Sequence, residues 1–173
     1  FFSHMFVHGQ RLRLGAEAVW NTGPFSLKGE FIHLQEERRG QGLRGENLPD
    51  LVSRGWYASG AWLLTGERQG RAVSPRHPWL LRPGIGALEV NARYEQLRFG
   101  SAAHLIRPSR SLRAANILPN SERVWTLGLN WYPNRWSKIQ ANAVHETFED
   151  PQRVPILGRT TYWSQFCRLQ FVL

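Results

Sequence analysis

Cysteine is almost missing from this sequence. Cys167 stands alone, so no internal disulfide can staple the fold, and its place on the apolar side of an alternating segment marks a small hydrophobe rather than a nucleophile. Nor does any run approach the roughly 18 uninterrupted apolar residues of a membrane-spanning helix. That excludes helical insertion but leaves strands open, because alternating strands hold the average polar, here a mean hydropathy of -0.42, while one face stays apolar. An initiator methionine and an export signal are absent too: the chain opens Phe1-Phe2-Ser3-His4-Met5, and the expectation is that further strands precede it. Neither a Gly-x-Ser-x-Gly elbow nor a nucleophile beside a base is present. His4 and His8 have no carboxylate or cysteine nearby, and a four-residue spacing chelates only on a helix that this segment does not promise. No metal, no cofactor and no enzymatic activity are therefore expected.

Lysine is the remaining scarcity. Lys28 and Lys138 are the only two among 22 basic residues, and against 13 acids the formal charge is +9. The arginine bias points to anions, since a planar guanidinium grips phosphate or carboxylate at two points and does not deprotonate.

What the chain has in abundance is period-two alternation. In Arg123–Asp150, Trp125, Leu127, Leu129 and Trp131 alternate with Thr126, Gly128 and Asn130. Pro133-Asn134-Arg135 reads as a tight turn, and the return arm sets Lys138, Gln140, Asn142 and Glu146 against Ile139, Ala141 and Ala143. Trp125 and Trp131 bracket the apolar face, as where a strand crosses a bilayer and its ends meet headgroups, and each arm reaches the roughly 9 to 11 residues a crossing needs. Five more strands read the same way. Arg11, Arg13, Glu17 and Val19 alternate with Leu12, Leu14, Ala16, Ala18 and Trp20; the next strand runs from Phe25 to about Gln35. Ser53–Gly66 places Trp56, Ala58, Gly60, Trp62 and Leu64 toward lipid with Tyr57 and Ser59 inward; Gly86–Phe99 alternates Glu89, Asn91, Arg93 and Glu95 with apolar residues. Thr160–Leu173 is the last.

Short turns at 21–24 and 133–135 and long loops at 36–50, 67–83, 100–122 and 149–159 give the asymmetry of an outer-membrane barrel, a rhythm that the third strand interrupts because long loops flank it on both sides. The expected fold is all-β, an antiparallel transmembrane β-barrel. Seven strands is an odd number, so residues 1–173 are expected to be the C-terminal part of one barrel domain whose first strands lie upstream.

Several stretches resemble a known family. Gly55-Trp56-Tyr57, Trp62-Leu63-Leu64-Thr65-Gly66-Glu67, Gly86-Ala87-Leu88-Glu89, Ala92-Arg93-Tyr94 and Leu127-Gly128-Leu129-Asn130-Trp131-Tyr132 look like the C-terminal half of the phosphate-selective porins O and P. Gly23-Pro24-Phe25-Ser26-Leu27-Lys28-Gly29-Glu30 and Val144-His145 add to the likeness, which runs from about Leu12 to Leu173. It implies a barrel of about 16 strands in the bacterial outer membrane, a homotrimer, and passive uptake of phosphate or other small anions. Leu88 stands where an aromatic is common, Arg68-Gln69-Gly70 departs from the usual continuation, and the chain ends in Leu173 rather than Phe; these changes bear on substrate preference.

On this reading Arg11, Arg13, Lys28, Arg93, Lys138 and Arg168 line the lumen and filter anions. The loop arginines Arg68, Arg71, Arg76, Arg107, Arg110 and Arg113 gather anions at the mouth, and Trp20, Trp125 and Trp131 face lipid. Glu17, Glu30, Glu89, Glu95 and Glu146 share the inward face, so the wall charges could equally pair among themselves by interleaving. The loop arginines could also meet phosphates of outer-membrane lipid and lipopolysaccharide. Two readings from other classes stay open. One is a structural barrel subunit of an envelope assembly. The other is a soluble basic β-protein binding nucleic acid through its eight tryptophans, which is disfavoured because Trp125 and Trp131 lie on a face read as uncharged.

Overall fold

The computed structural model describes residues 6–70, 72–79, 84–102 and 119–171. Within them lie seven strands: β1 (Arg11–Thr22), β2 (Phe25–Arg38), β3 (Leu48–Leu63), β4 (Ala87–Ser101), β5 (Asn120–Asn134), β6 (Ser137–Phe148) and β7 (Thr161–Phe171). Each pairs antiparallel with its sequence neighbour, giving one sheet in the order β1-β2-β3-β4-β5-β6-β7. The all-β expectation holds. β1 and β7 are the two edges, and neither pairs with the other.

Two tight turns close one end of the sheet. Gly23 takes φ 51° between β1 and β2, a left-handed conformation that costs glycine nothing sterically, and Pro24 follows with its fixed φ. Between β5 and β6 the turn is Arg135-Trp136, one residue later than the sequence suggests. Pro133 has no N–H to give to the ladder, so the register slips between Trp131 and Asn134 instead of turning there. Asn134 Oδ1 then accepts the Trp136 amide at 2.9 Å and fixes the reversal.

β3 starts at Leu48 rather than Ser53, which shortens the preceding loop to 39–47. Leu48 and Leu51 are buried there, and Gln35 Nε2 donates to Asp50 Oδ2 at 2.7 Å across the pair. Burial and a side-chain tie extend strands into a stretch whose polar composition reads as loop.

Alternation along each strand becomes two faces through the register. One row crosses the sheet as Trp20, Leu27, Gly60, Ala92, Leu127 and Ala143; the next as Phe25, Trp62, Val90, Leu129, Ala141 and Cys167. This apolar face is not a core. Trp125, Leu127 and Leu129 are 53%, 58% and 44% exposed, so they point into no dry interior. A contiguous greasy surface of this extent marks an interaction with lipid or protein. The small clusters that are buried sit on the opposite face, Leu51 with Phe99 at the long-loop end and Leu63, Val73 and Ala87 with Tyr132 at the tight-turn end.

The connection from β3 to β4 leaves the tight-turn end and folds back on the sheet. Gly86 returns it to β4 at φ 77°, its amide donating to His77 O at 2.9 Å. A Cβ at this position would lie 2.3 Å from Tyr132 O. Gly86→Ala is therefore expected to cost on the order of 2 kcal/mol, from the φ and the backbone clash together, read as a lower urea midpoint of the folded protein in lipid vesicles. Gly45→Ala, where φ is also positive but no atom lies within 4 Å of the new Cβ, is expected to cost less.

Candidate functional site

The six basic residues expected on the wall share one face. Arg11 pairs with Glu36, Arg13 with Leu34, and Lys28 with Ser59, which pairs with Arg93. Toward the tight-turn end, Glu89, Asn130, Gln140 and Arg168 form one row and Lys138 stands beside Gln170 in the next. Trp20, Trp125 and Trp131 lie on the other, apolar face by the same parity.

In the middle of the polar face charges of like sign share levels. Glu17, Glu30, Tyr57, Glu95, Val124 and Glu146 make one row, so four carboxylates cross the sheet together. Lys28 and Arg93 occupy the next row toward the tight turns. Among the described residues two ion pairs tie expected wall cations to acids. Arg93 Nε meets Glu95 Oε2 at 2.5 Å, and Arg11 meets Glu36. Arg93 also lays its guanidinium 3.7 Å from the Tyr57 ring centroid, which holds it flat against the wall.

Glu89 behaves differently from the other acids. It is 6% exposed and accepts from Asn130 Nδ2 at 2.5 Å, Gln69 Nε2 at 2.9 Å and Tyr132 OH at 3.4 Å. Gln140 Nε2 in turn donates to Asn130 Oδ1 at 3.0 Å. Gln69 belongs to the 64–86 connection, whose backbone also ties back to the turn, Gln69 N donating to Gly23 O at 2.8 Å. Glu67 is buried beside it, accepting the Arg76 amide at 3.2 Å and bonded to Thr65 Oγ1. The connection thus packs on the polar face and is pinned by two carboxylates.

Between this folded connection and the strands lies a concavity of about 470 Å³ lined by Lys28, Arg93, Arg135 and Lys138, with Gln69 and Ser59 as neutral donors. Glu89 is its carboxylate, and three donors already occupy it. Four cations, Arg93 among them already paired with Glu95, outnumber the acids here and make a region that attracts small anions. Sequence reading missed Gln69, Asn130 and Arg135. Nothing local marks Gln69, because only the fold-back of the connection brings it to Glu89.

Two of the six loop arginines fall on described residues. Arg68 and Arg76 are exposed on the connection at the tight-turn end. Arg71, Arg107, Arg110 and Arg113 themselves lie outside the described residues, as does His4. No group of three metal-ligating side chains occurs among the described residues. The apolar face is also not free of charge. Beyond Trp56 and Trp125 it carries Arg54, Arg98 and Arg123, which the alternation around Trp125 alone does not reveal.

An antiparallel meander with an exposed apolar face, a charged face and tight turns at one end is the wall of an outer-membrane β-barrel of the porin class. The chain belongs to the phosphate-selective porin O and P family, whose model matches residues 3–160. It is similar to Porin O of Pseudomonas aeruginosa, 26% identical over 130 residues, which are 73% of this chain and 28% of that protein. The matched stretch is thus under a third of the relative's length. Membership places the chain in the outer membrane of Gram-negative bacteria.

Gln69→Ala removes the side-chain tie to Glu89 and leaves the ladder intact. We expect a loss of about 1 kcal/mol and faster hydrogen exchange across 64–79, with β4 and β5 amides unchanged; equal exchange in both proteins would contradict the pinning.

Proposed function

We propose that these seven strands are the C-terminal part of a single outer-membrane barrel that conducts small anions, phosphate among them, by passive diffusion. The observation that carries the reading is the concavity where Lys28, Arg93, Arg135 and Lys138 converge on the polar face, against one carboxylate already held by Gln69, Asn130 and Tyr132. Closure by further strands follows from the edges. β1 and β7 each present an unpaired ladder, and a bilayer offers no water to satisfy it, so a membrane sheet has to close on itself. In the closed barrel the apolar face meets hydrocarbon. Trp125 and Trp131, roughly 20 Å apart along β5 at strand rise, stand near its two limits, with Trp20 on the same face of β1.

Anion preference then arises at two levels. Loop arginines raise the local anion concentration within about a Debye length, roughly 8 Å at physiological ionic strength. The cations of the wall, with Arg168 on the same face, act at closer quarters. The row of Glu17, Glu30, Glu95 and Glu146 opposes them, so selectivity is a balance between levels of opposite sign.

The experiment is single-channel recording of the full-length protein under a salt gradient. Wild type is expected to show a reversal potential of anion sign. Lys28→Gln, Arg93→Gln, Lys138→Gln and Arg168→Gln together should lower the anion-to-cation permeability ratio roughly two- to five-fold, while Glu30→Gln with Glu95→Gln should raise it. A cation-selective wild type, or a ratio unmoved by neutralising the wall, would sink the reading.

A further inference from the structure

The apolar face ends in cations at its long-loop limit. Arg54 on β3 and Arg98 on β4 are direct register partners, and His33 on β2 is the partner of Arg54 on its other side. Arg123 on β5 pairs with Gln96, diagonal to Arg98 and two residues beyond Trp125. The three arginines are exposed. Arg54 Nε donates to His33 Nδ1 at 3.3 Å, and no ion pair joins Arg54, Arg98 or Arg123 to a carboxylate among the described residues. Asp50, on the same face of β3, is engaged by Gln35. Like charges directly opposite in a sheet repel, so this arrangement calls for an anion from outside the described protein.

What lies beneath the cations says which anion. Trp56 lies one row below Arg54 and Arg98 and level with Arg123, and Tyr94 and Trp125 lie one row further; the three rings pack in tilted contacts with centroids 5.2 Å and 4.6 Å apart, the aromatic belt expected at a membrane interface. Directly under the belt is a shallow apolar trough of about 560 Å³, floored by Gly29, Ala58, Gly60 and Ala92 and walled by Trp20 and Trp125. Cations at headgroup height above a groove at chain height form one continuous surface for a molecule with a phosphorylated head and acyl tails. The tight turns close the opposite end, so this rim belongs to the outer leaflet, which in this membrane is built of phosphorylated glycolipid.

We propose that Arg54, Arg98 and Arg123 dock the phosphate groups of an outer-leaflet glycolipid while one of its acyl chains occupies the trough. Guanidinium forks match phosphate oxygens at two points, and removal from bulk water at the interface strengthens the contact. The site rests on the barrel and its orientation and is independent of anion conduction.

The test uses full-length protein in detergent, with diphosphorylated lipid A, its dephosphorylated form and inorganic phosphate as separate probes, bound lipid being counted by native mass spectrometry. Wild type should hold the diphosphorylated form at least about ten-fold more tightly than the dephosphorylated one, and Arg54→Ser, Arg98→Ser and Arg123→Ser together should abolish that ratio. Ala58→Trp, which fills the trough and leaves the arginines, should weaken retention of both lipids. Arg98→Gln alone, a milder change should the triple variant not fold, should lower the ratio roughly three-fold. Unchanged retention in the arginine variants overturns the proposal. So does displacement of the lipid by inorganic phosphate at equal concentration, which would make the cluster a collector of free anions. Conductance is read on the same samples: pores without a lipid difference remove the site and keep the barrel, whereas a wild type forming no pores removes the barrel as well.

Discussion

Side-chain parity held in step across six strand pairs is the constraint on which the molecule rests. Side chains alternate with a period of two, so a slip of one residue in any pair would carry Lys28 or Arg93 to the greasy side and Leu127 to the charged one. The register is continuous through the middle of every pair. It shifts only near strand ends, between Glu36 and Arg38 and between Trp131 and Asn134. Those shifts fall where strands leave the apolar band, and there a change of face costs little.

Stability in such a sheet does not come from a central core. Few apolar side chains are buried, and those at the tight-turn end depend on the returning 64–86 connection, which lays Val73 on Leu63 and Ala87. The same connection crosses to the other side, where Trp79 packs edge-on against Trp131 with centroids 5.5 Å apart and Ile85 O accepts Trp131 Nε1 at 2.7 Å. One segment therefore seals the polar face with Gln69 and the apolar face with Trp79. Its two carboxylate anchors, Glu67 within it and Glu89 on the wall, are buried acids whose lone pairs are taken by neutral donors. Burial without such donors would be costly.

Charge is distributed by level on both faces. On the polar face a row of acids adjoins a row of cations on its tight-turn side, and on the apolar face Arg54, Arg98 and Arg123 gather at the long-loop end of one aromatic cluster. Both patterns follow from the register, which assembles residues distant in sequence into single rows: Glu17 with Glu146, Arg54 with Arg98. Neighbours in a row share a level, so an ion approaching either face meets the row rather than the single residue.

Alternation in the sequence was enough to determine seven strands, their two faces and the membership of Arg11, Arg13, Lys28, Arg93, Lys138 and Arg168 in one of them, because a period of two is a local property of each strand. The third strand, flanked by long loops on both sides, was also visible as an anomaly. Strand limits at Leu48 and Asn120 were not. They depend on buried leucines and on Asn120 Oδ1, which accepts the Asp150 amide at 3.1 Å from the next loop. Nor could any local pattern bring Gln69 to Glu89 or set Arg54 beside Arg98. Each of these is a contact between segments, decided only when pairing fixes which rows align and when a connection finds the face it can bury.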